Sequence, residues 1–229
     1  MRPAPAPAPI LGQPQALPLL LGLAGPAGCG KSTAATLLSS NGWGRISFAD
    51  PLRAVVLALR PAWDGWHLQT GKDLTPPDGG LSPREMMRVI GDWVKNYDPR
   101  FFRRIALDQV LMYRRRGIHA VIDDVRFPAE ADLVRFMGGA VCHVSRPDFA
   151  FRHDHNSEMG VEPLPEDLHL RNWGGVQALG GELNYVLAAL AGRGAQSAAS
   201  AQAEATQAVP GLAEPAPGAV VAANPYPWP

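Results

Sequence analysis

Residues 25 to 32, GPAGCGKS, constrain the fold more than any other stretch of this sequence. Gly25 and Gly30 enclose four residues and are followed by Lys31 and Ser32, which is the pattern of a phosphate-binding loop. The apolar run before the loop predicts a strand buried on both faces, and the run STAATLLSS after it predicts a helix. In such a unit the glycine N–H groups and the positive end of the helix surround an anion.

The residues of the loop predict how a nucleotide would be held. The ammonium of Lys31 is expected to reach the β- and γ-phosphates, and the hydroxyl of Ser32 is expected to bind Mg²⁺. The residues expected to contact the nucleotide from this loop are Gly25, Gly28, Cys29, Gly30, Lys31, Ser32 and Thr33. The loop therefore predicts a nucleotide site that works with magnesium.

Charge and cysteine content exclude several classes of protein. Basic and acidic residues number 21 each, so no net charge draws the chain to a polyanion, and neither stable nucleic-acid binding nor a membrane is expected. No apolar run reaches the roughly 18 residues of a membrane span, and the N-terminus lacks the apolar core of a signal peptide. Two cysteines indicate a reducing compartment. The predicted location is the cytoplasm.

The basic residues comprise 18 Arg and only three Lys, at positions 31, 72 and 95. Guanidinium groups suit phosphate because their planar fork donates two parallel hydrogen bonds. The abundance of Ala, Gly and Pro offers a second explanation, a bias in base composition, and the sequence leaves both open.

Short apolar strands alternate with helices between residues 17 and 193, which predicts one α/β domain. Strands are expected within residues 17–24, 46–48, 118–124, 140–145 and 168–171. Helices are expected after the phosphate loop, Asp50, Ser82, Asp98, Phe127 and Gly175, and residues 61–81 are expected to be loop. This order predicts a three-layer, phosphate-loop kinase-like fold, with a parallel five-stranded sheet and helices on both faces.

Three segments are expected to lie outside the packed layers. Residues 1–16 alternate Pro and Ala, and residues 194–229 are rich in Ala, Pro and Gln, so a disordered arm and a disordered tail are predicted. Residues 147–167 are polar and lack periodicity, which predicts a mobile lid. The last helix is expected to end near Gly192.

Ligands of parallel sheets bind beyond the carboxyl ends of the strands. The phosphate loop, Asp50, Asp124, Arg146 and Asn172 all fall at this edge in the predicted order of elements, and Asn172 is expected to contact the nucleotide. One carboxylate of the pair Asp123 and Asp124 is expected to complete the Mg²⁺ site, because neighbouring strand residues point to opposite faces.

Five stretches together carry a resemblance to a known family: GLAGPAGCGKSTAA, SFADPLR, SPREMMRVIGDW, VIDDVRFPAEADLV with a following GG, and HNSE. They resemble the deoxynucleoside monophosphate kinases of tailed bacteriophages, within the nucleoside monophosphate kinase superfamily, over about residues 18 to 190. The resemblance implies phosphoryl transfer from ATP to a deoxynucleoside monophosphate, for the supply of viral DNA precursors in the host cytoplasm. It implies ATP and Mg²⁺ as cofactors and small nucleotides as partners, and a homodimer stays open.

The resemblance also implies which residues carry the chemistry. The acid before Val-Arg-Phe is the recurring one, so Asp124 rather than Asp123 is expected to bind the metal. Arg126 follows it, and the expected catalytic set is Lys31, Asp124, Arg126 and Arg146. Phosphoryl transfer depends on charge neutralisation and in-line positioning, which these residue types can provide.

Five residues are expected to bind the acceptor. Arg53 and Arg84 each lie near the start of a helix at the active edge, where they either clamp the acceptor phosphate or are ordinary surface arginines. Asp50 either faces the acceptor or the metal, or caps its helix. His155 and Glu158 match the His-x-Ser-Glu of the family's lid, and either contact substrate or form a pair that only closes the lid.

Two other functions remain open from the residues alone. One is a kinase for another small acceptor, such as a shikimate-like or dephospho-coenzyme-A-like metabolite. The other is a nucleotide-binding switch or DNA-packaging accessory that hydrolyses slowly. The absence of an Asn-Lys-x-Asp sequence argues against a GTPase.

Overall fold

The computed structural model describes residues 18–147 and 160–207, and within them the chain forms a five-stranded parallel sheet with helices on both faces. The strands are β1 (Leu20–Ala24), β2 (Gly44–Ile46), β3 (Ala120–Val125), β4 (Ala140–Ser145) and β5 (Leu168–Arg171). Their order is β2-β3-β1-β4-β5, and every neighbouring pair is parallel. The predicted fold class is confirmed.

Seven helices connect and flank the strands in the described parts of the chain. They are α1 (Lys31–Ser40), α2 (Asp50–Leu59), α3 (Gly65–Gln69), α4 (Pro83–Tyr97), α5 (Phe101–Arg115), α6 (Pro128–Phe136) and α7 (Val176–Gln207). None of these helices combines the length and the apolar content that crossing a membrane requires.

The sheet separates two hydrophobic clusters. On one face Leu38 of α1 and Leu183 of α7 pack against strand residues such as Leu23. On the other face Val110 of α5 and Val134 of α6 pack in the cluster that holds the alternate strand residues. Apolar side chains of the helices therefore cover both faces of the sheet, which explains why the strand sequences are continuous apolar runs.

The start of α4 forms as its sequence predicts. The side chain of Ser82 accepts from the backbone N–H of Glu85, the carboxylate of Glu85 accepts from the N–H of Ser82 at 2.8 Å, and Pro83 occupies the first turn. These reciprocal bonds satisfy N–H groups that the first turn of a helix leaves without partners. The cap places α4 against α2 at the carboxyl-end edge of the sheet.

Three boundaries differ from the expectation. Strand β2 covers Gly44–Ile46 rather than residues 46–48, because the N–H groups of Phe48 and Ala49 bond to a carboxylate of β3. The region 61–81 is not wholly loop, since Asp64 caps α3 through a capping box with His67. Helix α7 does not end near Gly192 but continues to Gln207, through an Ala-rich stretch whose high helix propensity opposes disorder.

Several expectations fall outside the described residues. The predicted arm at 1–16, the lid residues 148–159 and the tail residues 208–229 lie there. The end of the predicted lid is described, and the carboxylate of Asp167 holds it by accepting from the N–H of Leu164 at 3.0 Å and from Arg135 at 2.7 Å.

Candidate functional site

The phosphate loop joins β1 to α1 in a conformation that requires glycine. Gly25, Gly28 and Gly30 have φ angles of 135°, 81° and 115°, a region that other L residues rarely adopt. A Cβ on Gly25 would also collide with the carbonyl oxygen of Val144 in β4. The loop is therefore pressed against the end of β4, and its glycines allow that approach.

Asn172, directly after β5, holds the loop from the other side. Its Nδ2 donates to the carbonyl oxygen of Cys29 at 2.9 Å, and its backbone N–H donates to Ser145 at 2.8 Å. Asn172 is buried, and a Cβ on Gly30 would lie 2.6 Å from its amide nitrogen. The amide thus supports the loop backbone, and direct contact between Asn172 and a nucleotide stays a prediction.

Lys31 begins α1, and its ammonium lies inside the loop. The Nζ atom donates to the carbonyl oxygens of Gly25 at 2.6 Å and Pro26 at 2.7 Å, and burial lowers the pKa of this ammonium. Ser32 and Thr33 are exposed on the first turn of α1. The loop therefore offers one cation and two hydroxyl groups around its ring of backbone N–H groups.

Asp124, at the end of β3, is fully engaged with the segment that leads into α2. Its Oδ1 accepts from the N–H of Phe48 at 2.8 Å. Its Oδ2 accepts from the hydroxyl of Ser47 at 2.7 Å and from the N–H of Ala49 at 3.0 Å. These bonds fix the start of α2 relative to the sheet.

Asp123 has a different environment from its neighbour. Its Oδ2 accepts from Nε of Arg45 at 2.7 Å and from Nη2 of the same guanidinium, whereas its buried Oδ1 has no hydrogen-bond partner among the described residues. Burial raises the pKa of this carboxyl, and the charge of Asp124 raises it further. A buried carboxylate oxygen without a partner is unusual in a folded protein.

The two acids occupy an irregularity of the sheet. Gly22 of β1 is opposite Ile122, but Ala24 is opposite Val125, so β3 has one more residue than β1 over this span. Ile122 and Val125 accordingly pack in the same hydrophobic cluster. The simple alternation of faces expected from the sequence does not hold at this bulge, as is common next to functional sites.

The donor atoms here are of the kind that would hold a magnesium ion jointly with the phosphates of a nucleotide. Ser32 offers an exposed hydroxyl and Asp123 an oxygen without a partner, and both are hard oxygen ligands. In the described parts of the chain no group of three His, Cys, Asp or Glu side chains gathers to hold a metal. Mg²⁺ is commonly bound in this way, by one or two protein oxygens together with phosphates and water.

A cavity of about 470 Å³ opens beside the loop, between α2, α4 and the segment that leads into α6. Ala27 and Asp124 line it on the side of the loop. Its basic lining residues are Arg53, Lys72, Arg84, Arg88, Lys95 and Arg126. Its apolar lining residues include Phe48, Leu52, Leu68, Met87, Phe102 and Phe127. Five acidic residues, Asp73, Glu85, Asp92, Asp124 and Glu130, also line it, so the cavity combines six basic and five acidic groups with an apolar part.

The predicted acceptor residues Arg53 and Arg84 both line this cavity. Arg53 donates to the hydroxyl of Ser47 at 3.0 Å and pairs with Asp50 in the first turn of α2. Arg84 pairs with Asp73. The structure therefore brings both arginines to one cavity and leaves Asp50 at its rim, half exposed and paired with Arg53.

Sequence reasoning missed several residues of the cavity, among them Lys72, Lys95 and Glu130. The ammonium of Lys95 lies 3.9 Å from the ring centroid of Phe127. Glu130 accepts from the N–H groups of Arg126 at 2.8 Å and Phe127 at 3.1 Å, and burial raises its pKa to about 7. The signal that could have found the lysines was their rarity, since the chain has only three.

The remaining predicted residues are placed as follows. Arg126 lines the cavity, and Arg146 is exposed after the end of β4. His155 and Glu158 lie outside the described residues. The roles assigned to all four stay predictions.

Comparison with known proteins identifies the family. The family model for deoxynucleotide monophosphate kinase matches residues 77–182. A protein of Acanthamoeba polyphaga mimivirus assigned as a deoxynucleotide monophosphate kinase is 33% identical over 161 residues, which are 64% of this chain and 83% of that protein. The deoxynucleotide monophosphate kinase of Enterobacteria phage T4 is 29% identical over 112 residues, 48% of this chain and 46% of that protein.

Solved structures with a similar arrangement are more distant. Dephospho-CoA kinase from Campylobacter jejuni superimposes with a TM-score of 0.42 at 15% identity, covering 75% of this chain and 96% of that one. APS kinase from Mycobacterium tuberculosis gives a TM-score of 0.38 at 14% identity, covering 76% of this chain and 99% of that one.

The match to the mimivirus protein spans most of that relative, and the chain therefore belongs to the deoxynucleotide monophosphate kinase family.

Proposed function

We propose that this protein transfers the γ-phosphoryl group of ATP to the phosphate of a deoxynucleoside monophosphate, yielding ADP and the deoxynucleoside diphosphate. The observation that carries the proposal is that the phosphate loop and the cavity with its basic lining residues lie side by side. The phosphate loop opens directly onto the cation-lined cavity, which Ala27 of the loop and Asp124 of β3 both line. Donor and acceptor phosphates would therefore meet at the carboxyl ends of β1 and β3.

The phosphate loop is the donor side of this reaction. Its backbone N–H groups and the start of α1 favour the phosphates of ATP, and Lys31 places a positive charge among them. Mg²⁺, held by Ser32 with Asp123 or Asp124, would neutralise charge on the β- and γ-phosphates. Lys31 would exchange its two carbonyl partners for phosphate oxygens when ATP binds.

The cavity is the acceptor side. Its volume of about 470 Å³ lies within the usual range for a small-ligand site, roughly 300 to 1,000 Å³. A deoxynucleoside monophosphate has one doubly charged end and one flat, largely apolar end, and the cavity has complementary surfaces for both. Arg53 and Arg84 are suited to the phosphate because each is already oriented by a carboxylate.

The transfer itself needs positioning more than covalent assistance from the protein. An oxygen of the acceptor phosphate attacks the γ-phosphorus, the bond from that phosphorus to the bridging oxygen breaks, and ADP leaves. Asp124 contributes by tying Ser47 and the start of α2, and with them Arg53, to the strand beside the loop. Arg126, one residue beyond β3, lines the cavity and would neutralise the charge that develops between the two nucleotides.

We further propose that Arg146 and the lid residues His155 and Glu158 act when the site closes. Excluding water from the transferring group strengthens the interactions of its charges and suppresses hydrolysis. At the described end of the predicted lid, the carboxylate of Asp167 contacts Arg135 and His143.

The test is ADP release from ATP in the presence of each of the four deoxynucleoside monophosphates. The proposal predicts that one or more of them stimulates release well above the rate without acceptor, and that the product is the diphosphate. Stimulation only by an unrelated metabolite would instead indicate a kinase for another acceptor. Equal release with and without every acceptor would indicate a slow nucleotide hydrolase.

A further inference from the structure

The three lysines of this chain all lie at the candidate site. The chain contains 18 Arg, yet Lys31 begins α1 in the phosphate loop, and Lys72 and Lys95 both line the cavity beside it. Burial lowers the pKa of each of the three ammonium groups. Where Arg serves almost every other position, the lysines mark places that need a compact ammonium rather than a planar guanidinium.

The backbone of Lys72 is fixed between α3 and α4. The N–H of Gly71 donates to Trp66 at 2.9 Å, and a Cβ on Gly71 would lie 2.5 Å from the ring of the same tryptophan. The carbonyl oxygen of Lys72 accepts from the N–H of Arg84 at 2.9 Å. Position 72 is therefore anchored on both sides, although its surroundings lack regular structure.

The charges around the Lys72 side chain are mostly of the same sign. After burial, the nearby guanidinium of Arg84 lowers its pKa, Asp73 opposes this effect, and Arg126 and Arg53 lower the pKa further. Within the described residues, the ammonium of Lys72 makes no hydrogen bond or salt bridge, whereas Arg53 and Arg84 each pair with an acid. Four cations from four segments thus line one cavity, and among the residues that the structure describes the Lys72 ammonium has no hydrogen-bond or salt-bridge partner.

We propose that Lys72 binds the phosphate of the acceptor nucleotide directly and that arginine cannot replace it. This inference rests on the proposed function, because it concerns the acceptor of the same reaction. A phosphate dianion supplies the missing negative charge, and it accepts from an ammonium in any direction. Three guanidinium groups already line this cavity, so a fourth planar fork would compete with them for the same phosphate oxygens.

Chemical labelling of the intact protein tests the contact without any mutation. Reductive methylation with formaldehyde and cyanoborohydride modifies amines, and only three lysines need to be followed by peptide mass spectrometry. A deoxynucleoside monophosphate should slow the methylation of Lys72 several-fold, while the matching deoxynucleoside, which lacks the phosphate, should not. ATP alone should slow the methylation of Lys31 instead. Equal methylation of Lys72 with and without the monophosphate would overturn the contact.

Kinetics of two variants test the requirement for an ammonium. Lys72→Gln and Lys72→Arg should both raise KM for the deoxynucleoside monophosphate by about tenfold or more, the effect of losing one charge-assisted hydrogen bond, with KM for ATP nearly unchanged. Arg115→Gln, an exposed position at the end of α5, is the matched control for loss of one charge. Wild-type kinetics in Lys72→Arg would overturn the requirement. If the wild-type protein phosphorylates no monophosphate, the proposed function is refuted. The labelling experiment separates this result from failure of the Lys72 contact, because it measures binding and not transfer.

Discussion

The hydroxyl of Ser47 donates a hydrogen bond of 2.7 Å to Oδ2 of Asp124, which lies 77 residues further along the chain. The same carboxylate accepts from two backbone N–H groups of the segment entering α2. A bond between the end of β3 and the start of α2 sets the distance between the phosphate loop and the cations of the cavity. We therefore expect the geometry of the proposed transfer to depend on this side chain.

Replacing Asp124 should therefore damage acceptor binding and turnover together. In Asp124→Asn, the amide group must turn one N–H toward another donor, so at least one of the three bonds is lost. We expect kcat/KM for the acceptor to fall on the order of 10²-fold, and the Mg²⁺ requirement to rise. Steady-state kinetics at varied acceptor and Mg²⁺ concentrations check both effects.

Asp123→Asn is the matched control at the neighbouring position. Its carboxylate pairs with Arg45, which is partly exposed and can turn to water. We therefore expect Asp123→Asn to lower kcat/KM and to raise the Mg²⁺ requirement less than Asp124→Asn does. Circular dichroism checks that both variants have equal folded content. If Asp123→Asn is instead the more damaging change, the unpartnered Oδ1 of Asp123 is the metal ligand and the assignment of Asp124 is wrong.

Glu130 makes the stability of the protein depend on pH. Its pKa rises from 4.5 to about 7 on folding because of burial, so the folded state binds the proton more tightly than the unfolded chain. The stability that this shift contributes, on the order of 3 kcal/mol, is fully present below pH 4.5 and is lost as pH rises through about 7.

Glu130→Gln should remove this dependence. The amide oxygen can still accept from the N–H groups of Arg126 and Phe127, but nothing ionises. We expect a higher melting temperature at pH 8 and a flatter profile between pH 4.5 and 7. Glu85→Gln is the control. The hydrogen bond from Ser82 lowers the pKa of Glu85 below 4.5, so removing this carboxylate cannot flatten the stability profile between pH 4.5 and 7. An unchanged profile in Glu130→Gln would mean that Glu130 is not protonated in the folded protein.

Asn172 supports the phosphate loop and does not line the cavity. Asn172→Ala removes the bond to the carbonyl oxygen of Cys29 and leaves a space beside Gly30. We expect KM for ATP to rise about tenfold, as for the loss of one buried hydrogen bond, with little change in KM for the acceptor. A selective rise in the acceptor KM would contradict this division between the two sides of the site.

The local patterns of this sequence predict most of the sheet. The phosphate loop, the capping box at Ser82 and the apolar runs of β1, β3 and β5 depend on residues that are neighbours in the chain, so pattern alone suffices. The bulge at Asp123 and Asp124 depends on pairing between β1 and β3, which no single segment encodes. Alternation of faces was the wrong rule there for that reason.

Lys72 and the length of α7 show two other limits. Lys72 lies between a short helix and a loop rich in Pro and Gly, where composition singles out no residue, and its environment comes from Arg53, Arg84 and Arg126 on other segments. The stretch after Gly192 was interpreted by its low complexity, although Ala is the strongest helix former. Helix propensity predicts that α7 continues beyond Gly192, whereas compositional bias predicts disorder there. The helix continues to Gln207.

The end of α7 should nevertheless be dispensable for turnover. Leu190 is the last buried side chain that the structure describes in α7, and Arg193 donates to the carbonyl oxygen of Glu166. A truncated protein of residues 16–193 keeps both contacts, and we expect it to retain turnover and melting temperature. Loss of either property would show that residues beyond 193 pack on the domain or join subunits.

Transfer of label from γ-³²P-ATP to a deoxynucleoside monophosphate tests the central claim most directly. The account predicts labelled deoxynucleoside diphosphate with at least one of the four acceptors, and a loss on the order of 10²-fold or more in Lys31→Ala at equal folded content. The account is contradicted if all label appears as inorganic phosphate at a rate independent of acceptor, or if Lys31→Ala transfers label as fast as the wild type.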